Sequence, residues 1–140
     1  MRIKRKIIIN APIEKTYRTA ENYPLFVKAF REKKILWNTE LASKVRITND
    51  FFAIPLTWEG ESIKRKIKQI DWVQTSGLLK GLRANWLFNS IDDGQTEVLI
   101  KGEFFAKGLR KVLLYPLAPI LVAKVANQIL TSLKMESELW

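Results

Sequence analysis

The sequence predicts an α+β fold in which a curved antiparallel sheet of six to seven strands wraps a long C-terminal α-helix. Three observations carry the prediction. Residues 31–105 break into short β-rich segments separated by turn signals, too close together for crossover helices, so their strands pair antiparallel. After Gly108 the periodicity turns helical and stays so nearly to the end. A β-branched run followed by a short helical pattern opens the chain. At 140 residues the whole of 1–140 reads as a single domain able to bury a sizeable core.

In order, Arg2 to Ile9 reads as the first strand. Asn10 offers a helix cap and Pro12 suits a first turn. "PIEKTYRTAEN" then sets Ile13, Tyr17 and Ala20 on one face of a short helix, and "PLFVKAF" beyond Tyr23-Pro24 supports a second. Turns are expected at Asn38, Asn49-Asp50, Gly60, Gly77 and Asp93-Gly94. The "DDGQ" sequence between two strands is a hairpin signal. In the last helix Val122, Val125, Ala126, Ile129 and Leu133 form one stripe, opposite Lys124, Asn127, Thr131 and Lys134.

Alternation orients the strands. Leu82, Ala84, Trp86 and Phe88 share the inner face of one strand; Val98, Ile100, Gly102 and Phe104 share that of the next. Gly102 among large neighbours reads either as room for a ligand or as a bend. "SIKRKIKQI" has two phases. In one, Ile63, Arg65, Ile67 and Gln69 point inward and Lys64, Lys66 and Lys68 form an outward basic ladder. In that phase Arg65 needs a partner such as Glu59 or Glu61, or else holds a ligand head group. In the other, Arg65 faces out.

The chain holds no cysteine and no histidine, which removes disulfides, thiol chemistry, the commonest metal ligand and the commonest neutral-pH acid–base group. No metal cluster, phosphate loop or nucleophile elbow is present in the pattern, and no cofactor or metal is implied. The formal charge is +10, and residues 1–34 alone carry +7 (ten Lys/Arg, three Glu). This asymmetry fits an anionic partner or a solvated basic face. The anionic-surface candidates are Arg2, Lys4, Lys33, Lys34, Lys64, Lys66 and Lys68. The apolar runs Ile7–Ile9 and Val112–Ala123 are too short for a signal-peptide core and a membrane span respectively. The expectation is a cytoplasmic chain that visits a membrane surface peripherally or not at all.

"IINAPIEKTYRTAENYPLFVKAF" resembles the opening of START-like (helix-grip, SRPBCC) domains. "IDWVQTSGLLKGLRANWLF" followed by "DDGQTEVLIKGEFF" resembles the polyketide cyclase/dehydratase and coenzyme Q-binding branch of that superfamily. Gly77, Lys80, Trp86 and Phe88 match its pattern; Leu79 replaces an aromatic and Ala84 a glycine. The resemblance implies an apolar tunnel between sheet and helix holding a lipid, polyprenyl quinone, polyketide or similar molecule.

The expected lining from the strands is Trp58, Arg65, Ile67, Gln74, Trp86, Phe88, Ile100 and Phe104, each aromatic being lining or plain core. From the helix it is Tyr115, Pro116, Pro119 and Val122. Pro116 and Pro119 predict a kink or restart in the helix. The apolar run around them is either a lid at the tunnel mouth or buried under neighbouring elements.

Three functions follow. The first is a non-catalytic carrier of a hydrophobic molecule. The second is a cyclase or dehydratase, with Glu59, Glu61, Arg65, Tyr17 and Tyr115 as the candidate acid–base groups, none forming a constellation. The third is association with ribosomes or RNA through the basic surface, as the resemblance to a ribosome-association toxin implies. Oligomeric state is left open.

Overall fold

The computed structural model describes residues 1–106 and 108–139, with the backbone alone at 109 and 110. Among these, seven strands form one antiparallel sheet: β1 (Arg2–Ile9), β2 (Glu32–Asn38), β3 (Ala42–Phe51), β4 (Ile54–Arg65), β5 (Gln69–Gln74), β6 (Arg83–Asp92) and β7 (Gln95–Glu103). Their spatial order is β1-β7-β6-β5-β4-β3-β2. Helix α1 (Ile13–Ala20) follows β1; α2 (Leu109–Leu114) and α3 (Ala118–Ser137) follow β7. The sheet curves around α3, whose buried stripe runs from Ala118 through Leu121, Val122, Ala126, Ile129 and Leu133 to Ser137.

Each of β2 to β6 is hydrogen-bonded to the next in sequence, so the two ends of the sheet differ. The ends of β3, β5 and β7 lie at one end with α2 and the start of α3, where Lys124 Nζ donates to Asp50 O at 2.8 Å. The opposite end gathers α1, the β2–β3, β4–β5 and β6–β7 turns, and the end of α3. There the Asn10 N–H donates to Glu138 Oε1 at 2.8 Å, and Lys134 Nζ donates to Ile8 O at 3.0 Å. Asn10 is thus tied to α3 rather than capping α1; Pro12 holds the N-cap position with an extended backbone.

The second short helix expected after β1 is absent: residues 21–31 run through turns to β2. Tyr23, Phe26, Val27 and Phe30 are buried there, so tertiary packing sets this segment's path and overrides its helical spacing. Gly60 is not a turn. It lies inside β4, opposite Val45 and Gln74, because the Trp72 indole occupies the place a Cβ would take. Asn49 and Asp50 lie within β3, and the turn comes at Phe52 and Ala53, with φ of 52° and 68°. The Asp92–Gln95 hairpin forms as expected.

The helix breaks at its prolines. Residues 115–117 separate α2 from α3, and Pro119 sits in the first turn of α3, where its missing N–H costs no bond. The apolar run is divided between inside and outside. Leu114, Ala118, Leu121 and Val122 are buried, whereas Val112, Leu113, Leu117 and Ile120 are 49–72 % exposed.

Candidate functional site

The inner faces of β6 and β7 are those the alternation indicated: Leu82, Trp86, Phe88, Val98, Ile100 and Phe104 are all buried. On β4 the phase is the one with Arg65 outward. Trp58, Gly60, Ser62 and Lys64 face in, and Glu59, Glu61, Ile63 and Arg65 face out or lie at the surface. Arg65 Nε donates to Asp71 Oδ2 at 2.8 Å on the outer face, where Gln69 and Asn85 also donate to Asp71. Burial raises the Asp71 pKa, and these three hydrogen bonds outweigh it, holding the carboxyl below its ordinary value. Ile63 and Ile67 share their face with Arg65 and Gln69, so neither face of this segment is wholly apolar and the sequence left both phases open. The loss of Lys64 from the outward ladder follows from the same phase.

Between the inner face and α3 lies an apolar cavity leaving about 90 Å³ in which the centre of a water-sized sphere can move. Five expected lining residues meet there: Trp58 from β4, Gln74 from β5, Trp86 from β6, Ile100 from β7 and Val122 from α3. They are joined by Tyr23, Phe51, Trp72 and Leu79, which sequence reasoning missed. Phe51 ends β3, and Trp72 lies within β5 on the inward face it shares with Ile70 and Gln74. Tyr23 comes from the turn segment, and only its hydrophobicity hinted at burial.

The other expected lining residues lie elsewhere. Phe88 packs edge-on against Tyr17 at 5.2 Å, and Phe104 is core. Ile67 is in the β4–β5 turn with φ 70°, and Arg65 is on the outer face. Tyr115 and Pro116 occupy the α2–α3 break, and Pro119 is exposed on α3. Gly102 holds no ligand space either: a Cβ there would meet Ile3 Cγ2 at 3.0 Å and Val122 Cγ1 at 3.8 Å. It serves close packing of β1 and α3.

Aromatic rings floor the cavity. Tyr23 stands edge-on to Trp86 at 5.0 Å and to Trp72 at 5.7 Å; Trp58 meets Phe30 at 6.0 Å and Phe51 at 6.4 Å. Gly77, with φ 90°, brings the β5–β6 loop against Trp58, where a Cβ would press on Trp58 Cβ at 2.8 Å. The mouth is at the α2 end, where the lining residues Thr57 and Leu78 are exposed. Among the lining residues the polar side chains are Gln74, Thr57 and Tyr23. Thr57 Oγ1 is paired with Thr48 Oγ1 at 2.7 Å. The Gln74 amide is buried and makes no hydrogen bond within the described residues, so both its donor and its acceptor are available. Burial pushes the Tyr23 hydroxyl far above the ordinary phenol range.

The candidate acid–base groups do not converge on this space. Glu59 pairs with Lys44 at 3.9 Å and with Arg46 at 2.9 Å on the outer face, Glu61 is exposed, and Tyr17 contacts Phe88 rather than the cavity. No group of three His, Cys, Asp or Glu side chains able to hold a metal occurs among the described residues. The basic candidates are dispersed too. Arg2 and Lys4 lie on β1, Lys33 and Lys34 on β2 at the opposite edge, Lys66 and Lys68 at the β4–β5 turn, and Lys64 inside. They do not make one patch. No described helix is long and apolar enough to cross a membrane.

No protein-family model matches this sequence, and no curated protein does. Solved structures do match. TTHA0849 from Thermus thermophilus superposes with a TM-score of 0.84 at 15% identity, over 98% of this chain and 97% of that one. The Zhui aromatase/cyclase from Streptomyces sp. R1128 gives 0.86 at 14% identity, over 99% and 93%. A START superfamily protein from Mycobacterium smegmatis gives 0.78 at 11% identity, over 98% and 97%. The architecture is shared over 93% or more of every chain compared.

Proposed function

We propose that this chain, which has the helix-grip fold of START-like (SRPBCC) proteins, binds a hydrophobic small molecule in the cavity between sheet and α3. The observation that carries this reading is the combination of an apolar, mostly aromatic lining with one buried, unbonded amide at Gln74. Burial of ligand apolar surface supplies about 25 cal/mol per Å², and the amide fixes orientation. As it stands the space is small, with about 90 Å³ open to the centre of a water-sized sphere. That suits a ring system or a short chain; a long polyprenyl tail needs the mouth to widen. A cyclase reading requires a positioned acid or base in the cavity; Gln74 and Thr57 are neither, and burial holds the Tyr23 hydroxyl protonated and far from neutral-pH proton transfer, so binding without turnover is favoured. Mass spectrometry of organic extracts of the purified protein is expected to reveal a copurifying hydrophobic molecule that Gln74→Leu and Val122→Trp reduce. An empty wild-type protein that also fails to take up any of a panel of quinone, aromatic and acyl probes refutes the reading.

The mouth also suits an anionic lipid surface. Val112, Leu113, Leu117 and Ile120 stand exposed along α2, the α2–α3 break and the start of α3, with the exposed Lys111 among them. Apolar insertion beside basic side chains is the pairing that holds peripheral proteins on acidic membranes. Cosedimentation with phosphatidylcholine vesicles containing phosphatidylglycerol is expected for the wild type and lost in Leu113→Asp/Leu117→Asp. Equal behaviour of the two, or sedimentation with ribosomes instead of vesicles, refutes it.

A further inference from the structure

Below the aromatic floor the inner face changes character. Ser43 on β3 and Ser62 on β4 are directly opposed across the ladder, and Lys64 follows two residues on along the same face. All three are more than nine-tenths buried, at 5, 7 and 8 % exposure. They line a second small void, about 10 Å³, together with Glu21, Tyr23, Ile70 and Trp86. That is room for one water.

Its polar groups are under-used. Neither serine hydroxyl makes a hydrogen bond within the described residues. Lys64 Nζ donates to Asn38 Oδ1 at 2.5 Å and to Thr39 O at 2.9 Å, two neutral acceptors for a group with three donors. Glu21 lies on the same wall, yet Lys64 forms no ion pair among the described residues. A buried ammonium without an anion is costly unless something supplies the charge.

Tyr23 and Trp86 line both voids, so a single layer of aromatic rings separates the apolar cavity from the polar one. Tyr23 belongs to the turn segment 21–31 rather than to a strand or helix. Its ring stands on the boundary between the two spaces, one apolar and the other bearing Lys64.

We propose that Lys64, Ser43 and Ser62 form a carboxylate-binding site at the inner end of the cavity, so that the ligand is a hydrophobic carboxylic acid bound head-inward. This rests on the cavity being the binding site and adds the chemical class of its occupant. The ammonium and the two hydroxyls donate to the carboxylate while the apolar chain lies past Tyr23 toward Gln74. Hydrogen bonds to an ionised acceptor in a buried site exceed those to a neutral one, which sets the selectivity.

The test is an NMR chemical-shift titration of the full chain with octanoate and with octanol at neutral pH. The wild type is expected to bind octanoate about tenfold or more tighter than octanol, with octanoate alone shifting the amides of Ser62, Lys64 and Thr39. In Lys64→Met the preference is expected to vanish while octanol affinity stays the same. If octanol binds and octanoate shows no preference, or if Lys64→Met keeps the preference, the carboxylate site is overturned and the cavity reading stands. If neither probe binds, both fall. Should Lys64→Met not fold, Ser43→Ala/Ser62→Ala decides: a severalfold loss of preference supports the site, and an unchanged ratio overturns it.

Discussion

Tyr17 is 2 % exposed, and its hydroxyl is buried without a hydrogen-bond partner among the described residues. Burial, with the nearby Glu21 charge adding to it, pushes its pKa up to about 12. The folded state therefore keeps this proton where the unfolded chain has lost it, and folding stability is full below pH 10 and declines as pH rises toward 12. Tyr17→Phe is expected to cost less than about 0.5 kcal/mol at neutral pH, since the lost hydroxyl has no partner to orphan. It is also expected to lose less stability than wild type between pH 10 and 12, as read by urea unfolding at stepped pH. Gly60 presents the opposite case. Its missing side chain is the space filled by Trp72, so Gly60→Ala is expected to cost about 1–3 kcal/mol and to shift tryptophan emission as that ring is driven from its seat.

At the scale of elements, the two faces of the α2–α3 region predict contrasting responses to the same change. Leu113→Asp/Leu117→Asp is expected to alter stability by less than about 1 kcal/mol, because both side chains are exposed. Leu121→Asp places a charge among cavity-lining residues that are buried and is expected to cost several kcal/mol. Thermal melts compare them directly. The same contrast explains what the sequence made legible. β6 and β7 alternate large apolar with polar residues, so their inner faces could be assigned. β4 interleaves isoleucine with lysine and passes through a glycine, so neither its phase nor its continuity could be read. The turns at Phe52–Ala53 and at Ile67 adopt positive φ without glycine or asparagine. Local chemistry gave no warning of them, because hairpin pairing on both sides imposes them.

At the scale of the molecule, the fold was readable because helical and strand periodicities separate cleanly along the chain, whereas the site was half readable. Trp58, Gln74, Trp86, Ile100 and Val122 converge because strand alternation and helix stripe both aim at one interior. Tyr23 and Lys64 escaped because one sits on irregular backbone and the other breaks the rule that lysines face water. The exposed apolar side chains Val112, Leu113, Leu117 and Ile120 lie along α2, the α2–α3 break and the start of α3, with the exposed Lys111 among them. Vesicle binding is accordingly expected to weaken, without vanishing, as salt rises from low to physiological ionic strength, since screening removes only the electrostatic share. The charge excess of residues 1–34 has a further meaning once the strand order is known. Arg2, Lys4, Arg5 and Lys6 fall on β1 and Lys33 and Lys34 on β2, the two strands that border the sheet. β2 is also irregular between Ile35 and Trp37. Main-chain groups left open at such borders invite foreign strands, and a fringe of like charges turns identical chains away. Concentrated solutions of this protein should therefore resist fibrous stacking, and neutralising the fringe at Lys4, Lys6, Lys33 and Lys34 should remove that resistance.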